Sequence, residues 1–270
     1  MRLGIAGDVH GNLHALDTIL AALDAAGCDR IACPGDLVGY GPRPNECVAR
    51  LRAAGAVAVA GNHDLMALDR LPSDRLPDLQ RQTIDWTRAA LDDATREYLG
   101  SLPLETEPAA GVVMTHGALG DPTVYVHGIA AARSQLAFLT AAHPHAGMLV
   151  LGHTHRPQLV PHRAGPPEIE GDGDVELPSD IGPWLVNAGS VGQAREPDPV
   201  ARAVVLDLDR GRARFLALEY DVAATRRELA AAGLPAEACH LPPHRQPRRR
   251  RLLGWLGRAA RASAERERAG

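Results

Sequence analysis

At 270 residues, with 45% apolar and 23% charged side chains, the chain can build one large or two small domains around a sizeable core. That balance excludes a disordered or membrane-embedded class, and no apolar run approaches the ~20 residues that a spanning helix needs. The net charge of −4 is unevenly spread: residues 244–270 hold nine Arg and two Glu, which is +7 and leaves −11 on residues 1–243.

Residues 2–6 read as a buried strand. The loop after it, Gly7-Asp8-Val9-His10-Gly11-Asn12, sets a carboxylate and an imidazole two residues apart between glycines, which let a backbone turn sharply and approach a bound group. Leu13, Leu16, Ile19, Leu20 and Leu23 recur at helical spacing over 12–26, and Gly27 closes that helix. A second strand, 31–34, ends in Gly35-Asp36. A helix over 44–54 carries Pro44 in its first turn and Gly55 just past its end. A third strand, 56–60, ends in Gly61-Asn62-His63-Asp64. This alternation predicts neighbouring parallel strands with right-handed crossovers.

Residues 65–102 change character, with charged helices over 79–90 and 93–100, the second capped by Asp92 or Asp93; they predict a helical excursion lying over the sheet. A strand over 112–115 ends in His116, a helix covers 130–142, and a strand over 148–151 ends in Gly152-His153-Thr154-His155. Short strands follow at 158–162, 184–187, 203–208 and 213–219, the last two joined through Asp209-Arg210-Gly211 as an antiparallel hairpin. Residues 165–182, rich in Gly and Pro with six acidic side chains, read as a solvated loop. The last helix, 225–232, closes a single domain over 1–234 with the excursion inside it, and a basic tail takes up 235–270.

Five apolar runs therefore end in five polar groups: Asp8 with His10, Asp36, Asn62 with His63, His116, and His153 with His155. In open α/β sheets, ligands bind in the crevice beyond the carboxyl ends of the strands, where neighbouring strands would gather these side chains. Burying them unpaired costs several kcal/mol each, so a partner is required, and a metal cluster is the natural one. Imidazole mixed with carboxylate and amide oxygen, without thiolate, suits Mn, Fe, Zn, Co or Ni better than Ca or a structural zinc. Seven ligands exceed what one such ion uses and fit two ions bridged by a carboxylate.

Gly7-Asp8-Val9-His10-Gly11, Gly35-Asp36-Leu37-Val38-Gly39, Gly61-Asn62-His63-Asp64, Thr115-His116-Gly117 and Gly152-His153-Thr154-His155 resemble, in order and spacing, the five signature blocks of the calcineurin-like metallophosphoesterases. Asn187-Ala188-Gly189-Ser190-Val191-Gly192 is similar to that family's late Gly-Ser turn. Gly39-Tyr40-Gly41-Pro42 with Pro44-Asn45-Glu46 resembles a bacterial branch described as predicted phosphodiesterases. The resemblance covers roughly residues 1–222 and implies an α/β fold, a four-layer α-β-β-α sandwich of two mixed sheets with the metal site at the carboxyl ends of the strands. It implies one metal on Asp8, His10, Asp36 and His155 and a second on Asp36, Asn62, His116 and His153, with Asp36 bridging. The ions would be divalent transition metals, Mn first, with Fe, Zn, Ni or Co as alternatives. A hydroxide shared between them would attack phosphorus in line, with His63 as general acid and Asp64 orienting its ring.

The implied activity is phosphodiester hydrolysis of a small phosphate ester. Ser/Thr protein phosphatases of the superfamily carry an Asp-Arg pair soon after the second block, where this chain has Val38-Gly39-Tyr40. Phosphomonoester, dinucleoside-polyphosphate and protein phosphatase readings are the alternatives, with a non-catalytic metal-binding scaffold behind them. Tyr40 and Arg195 are candidates to touch substrate phosphate, and His14 reads as a surface or supporting residue. Four cysteines without C-x-x-C spacing and an apolar run that begins at Leu3, with no leader ahead of it, predict a soluble, cytoplasmic protein. In the tail, Leu252, Leu253, Trp255 and Leu256 beside Arg248–Arg251 allow a basic amphipathic helix on a membrane or nucleic acid, against the plainer readings of a disordered or body-docked tail.

Overall fold

The structure, a computed structural model, describes residues 1–163 and 173–243. Most of the Arg-rich tail and the acidic stretch 164–172 lie outside the described residues, and the amphipathic-helix expectation lies there with them.

Two mixed sheets carry the fold. Strands β1 (Arg2–Ile5), β2 (Arg30–Cys33) and β3 (Val57–Ala58) run parallel, with helix α1 (Leu13–Ala25) and helix α2 (Pro44–Ala53) as their crossovers. Helix α3 (Asn62–Ala67) starts within the third sequence block, and α4 (Asp78–Ala90) and α5 (Asp93–Ser101) follow it. Asp92 caps α5 by accepting from the Thr95 amide at 2.7 Å, as one of the two expected residues. The second sheet begins with the hairpin β4 (Glu105–Ala109) and β5 (Val112–Thr115); helix α6 (Gly128–Ala142) then crosses to β6 (Met148–Leu151). The chain continues through β7 (Pro157–Pro161), β8 (Gly173–Glu176), β9 (Trp184–Ala188), β10 (Ala201–Asp207), β11 (Arg212–Leu218) and helix α7 (Val222–Ala231). The sheet orders are β3-β2-β1-β10-β11-β8 and β4-β5-β6-β9-β7.

Period-two alternation assigns the faces. Leu3, Ile5, Val204, Leu206 and Phe215 of the first sheet meet Met114, Val150, Trp184 and Val186 of the second in one apolar layer. The outward residues Ala203, Val205 and Leu216 pack under Leu16, Ile19, Leu23 and Leu51 of α1 and α2. On the far side Val113, Leu149, Leu151 and Leu185 pack under Leu136 and Leu139 of α6. Helices, sheet, sheet and helix give the expected four layers. No helix among the described residues is long and apolar enough to cross a membrane.

Three expectations change. Residues 173–176, read as solvated loop, form β8, which pairs with β11 from Arg212↔Glu176 to Phe215↔Gly173. Its own side chains are mostly exposed, so the signal lay in its partner. The third strand shrinks to two residues because Asn62 already starts a helix. The body also continues past 234: Leu234, Ala238 and Cys239 pack with Tyr40 and Leu229, and the Leu241 amide donates to the Ala194 carbonyl at 3.0 Å.

Candidate metal centre

The loops after β1, β2 and β3 and those after β5 and β6 meet where the two sheets come together, so both sheets contribute donors instead of one crevice collecting all five. Asp8, His10, Asp36 and His155 form one buried group and Asp36, His116 and His153 another; within each group the ligand atoms lie within 4.8 Å of one another. Asn62 joins the second group, its Oδ1 3.0 Å from His116 Nε2. All seven expected metal residues are thus brought together, and Asp36 belongs to both groups.

The imidazoles are aimed by backbone carbonyls. Nδ1 of His10 lies 3.1 Å from the Val38 carbonyl, Nδ1 of His116 2.7 Å from that of Pro34, and Nδ1 of His155 2.8 Å from that of Gln193. A carbonyl only accepts, so each Nδ1 carries a proton and each Nε2 is the nitrogen turned inward. His10 Nε2 and His155 Nε2 stand 3.0 Å apart. Burial holds both rings well below the ordinary histidine pKa, so neither supplies a proton to the other. Two lone pairs facing at that distance call for a cation between them. His153 is reversed: its Nε2 lies 3.1 Å from the Thr123 carbonyl, which frees Nδ1. Asp36 Oδ1 accepts the His63 amide at 2.8 Å, while its buried Oδ2 has no hydrogen-bond partner and lies 3.3 Å from His116 Nε2 and 3.6 Å from His10 Nε2. This donor set fits two ions sharing Asp36.

Without an ion, protons take part of that role. Burial opposes charge on His116, but Asp36 and Asp8 outweigh it and lift the ring to about 9. Burial lifts Asp8 to about 7, although His116 pulls the other way. Asp36 stays well below the carboxylate range despite its burial, because His116 and His63 surround it. Both oxygens of Asp8 accept from the His153 amide, at 3.0 and 3.1 Å, so the fifth and first blocks are tied together directly.

Glycines make the approach possible. Gly35 holds φ at 90°, and a Cβ there would stand 2.7 Å from His116 Nδ1. A Cβ on Gly61 would overlap the Asp36 carboxylate, and one on Gly192 would overlap the Val9 carbonyl. The late turn at Ser190–Gly192 braces the first loop: Ser190 Oγ donates to the Asp8 carbonyl at 2.8 Å, and the Gly192 amide donates to the same oxygen at 3.0 Å.

His63 sits beside the donors, its ring centroid 4.8 Å from that of His10 and 4.7 Å from that of Tyr40. Its buried Nδ1 has no hydrogen-bond partner, so no residue orients the ring by that nitrogen. Asp64 does not do what the sequence suggested. Its Oδ1 accepts from the Leu37 and Val38 amides at 2.9 and 3.1 Å, and its Oδ2 from the Gly61 amide at 2.9 Å. Asp64 is the third residue of α3, and a carboxylate there folds back onto the cap amide instead of following its neighbour's ring. It ties the second loop to the third.

His14 lies outside the centre, 3.4 Å from Glu228 at the surface, as expected. The pattern of blocks gave no sign of Tyr125, whose ring stacks on His153 at 3.7 Å and on His127 at 5.2 Å. Nor did it point to Thr123 and Gln193, which act through their carbonyls; a main-chain atom leaves no trace in residue type.

The model of the calcineurin-like phosphoesterase superfamily domain matches residues 1–211. A metallophosphoesterase from Sphaerobacter thermophilus of known structure is 33% identical, with 88% of this chain and 96% of that one covered and a TM-score of 0.75. A hypothetical protein from Pyrococcus horikoshii OT3 shares the fold at 19% identity, covering 88% and 96% of the two chains with a TM-score of 0.69. An uncharacterised protein of Methanocaldococcus jannaschii is 28% identical over 236 residues, 86% of this chain and 93% of its own.

Proposed function

Since the chain belongs to the calcineurin-like phosphoesterase superfamily, we propose that it hydrolyses phosphate diesters with two divalent transition-metal ions, manganese first among them. The observation that carries this reading is the pair of donor groups sharing Asp36. Asp8, His10, Asp36 and His155 would hold one ion, and Asp36, Asn62, His116 and His153 the other. When bound, the ions supply Lewis acidity, acidifying water and neutralising charge on phosphoryl oxygens.

The chain's own groups do the rest. The carbonyls of Pro34, Val38 and Gln193 fix the three imidazoles so that little reorganisation accompanies loading. His63 protonates the departing oxygen, through Nε2, since Nδ1 is enclosed beside Gly39. Burial holds its pKa below the usual histidine value, so the proton comes with an anionic substrate that offsets burial. Val38-Gly39-Tyr40 in place of an Asp-Arg pair favours a diester over a phosphoprotein, and a complete donor set with His63 beside it favours an enzyme over a scaffold.

The test is turnover of bis-p-nitrophenyl phosphate against p-nitrophenyl phosphate with Mn²⁺, with metal content measured in parallel. A higher kcat/KM on the diester is expected; a preference for the monoester overturns the diester reading, and bound metal without turnover of either overturns the enzyme. His63→Ala keeps the metal and slows cleavage about 10²–10⁴-fold, most of all for poor leaving groups. Equal loss on good and poor leaving groups removes its role as acid.

A further inference from the structure

Beside the metal centre lies a cleft of about 640 Å³ whose lining includes Thr154, Arg156, Gln158, His127 and Arg195 and no carboxylate. Thr154 stands between His153 and His155, so the cleft opens directly off the donor loop. Neither guanidinium has a carboxylate partner among the described residues, and Arg195 Nε is buried without any hydrogen-bond acceptor. Glu196, the carboxylate next to it in the chain, is engaged elsewhere: Arg202 grips both its oxygens, at 2.7 and 2.6 Å. The main chain around Arg195 is also fixed. The Leu241 amide donates to the Ala194 carbonyl at 3.0 Å, and His240 Nε2 lies 2.8 Å from the Glu196 carbonyl. His127 of the lining lies parallel to the Tyr125 ring, with an interplanar angle of 4°, and Tyr125 in turn stacks on His153.

A buried donor left without an acceptor costs free energy, and a cationic cleft without counter-charge attracts anions. From this arrangement we infer that the cleft between Arg156 and Arg195 is a subsite for a second phosphoryl group of the substrate, one that is bound and not cleaved. Two guanidinium forks match phosphate oxygens in number and geometry, and Thr154 and Gln158 add neutral polar groups. The inference deepens the phosphodiesterase reading and rests on it: the preferred ester carries a further phosphate near the phosphorus that is attacked.

Two measurements separate the subsite from the chemistry. The first is binding of inorganic pyrophosphate to the full-length, metal-free protein, followed by calorimetry. It is expected in the wild type and weakened about tenfold or more in Arg156→Gln and in Arg195→Gln. The second compares KM for thymidine 5′-(p-nitrophenyl phosphate) with and without a 3′-phosphate on the manganese-loaded enzyme. The 3′-phosphate is expected to lower KM about tenfold in the wild type, and the ratio to fall toward one in each variant. No pyrophosphate binding together with a KM ratio of one overturns the subsite, as does a ratio that both variants retain. Arginine-dependent pyrophosphate binding without turnover of either ester supports the subsite and overturns the hydrolase.

Discussion

Asp8, His10, Asp36, His153 and His155 hold φ between 50° and 67°, so five of the seven proposed donors sit in the left-handed region. Asp and His tolerate it better than most residues, yet it costs roughly 1–2 kcal/mol per residue. Burial adds to the cost at Asp8, whose carboxyl rises to about 7. The sign follows. With a folded pKa above the ordinary 3.8, the native state favours the protonated acid, so stability falls as pH rises from about 4 to about 7. Asp8→Asn keeps the shape and suits the backbone, and it raises the stability of the metal-free protein at pH 8 by about 1–2 kcal/mol while weakening metal binding. Chemical denaturation under chelator, beside metal titration, checks both halves. His116, at about 9 without metal, gives up its proton on loading. Metal binding at pH 7.5 therefore releases protons, read as a buffer-dependent calorimetric enthalpy, and the apparent affinity drops below pH 7 as Asp8 protonates. The identities of these donors were legible in the blocks. Their tautomers were not, because Pro34, Val38 and Gln193 act through main-chain oxygens that any residue would supply.

Among the elements, the helices were the most readable, since Leu16, Ile19, Leu20 and Leu23 form a buried stripe whatever they pack on. Strands depend on partners. β8 looked like solvated loop, for only its pairing with β11 makes it a strand. Likewise Asp64 looked like a partner for His63 until α3 set its direction. The late turn after β9 is the element on which the site leans most heavily, and its tolerance can be tested. A Cβ on Gly192 overlaps the Val9 carbonyl, whereas one on Gly147 meets nothing within 4 Å. Gly192→Ala is expected to destabilise by about 1–3 kcal/mol and lower metal occupancy. Gly147→Ala should leave melting temperature and metal content near the wild type.

For the molecule as a whole, what the sequence concealed was the division of labour between sheets. Every apolar run ended in a polar group, and nothing in those endings told which runs were neighbours. Pairing of β1 with β10 and of β6 with β9, at long sequence separation, decides it. The result is that Asp8, Asp36 and Asn62 come from one sheet and His116, His153 and His155 from the other, so bound ions tie the two together. Loading at a hundred times Kd should stabilise the fold by about 2.7 kcal/mol, seen as a higher melting temperature that chelator reverses. The donors also arrive in order along the chain, and the last brace, Ser190 to Gly192, comes long after the first loop it holds. On a ribosome, then, the first hundred residues emerge with Asp8, His10, Asp36 and Asn62 but without His116, His153 and His155, so neither donor group is complete. Completing either group requires both halves to be docked. Added manganese should accordingly leave the refolding rate unchanged and slow unfolding, the mark of contacts made after the barrier.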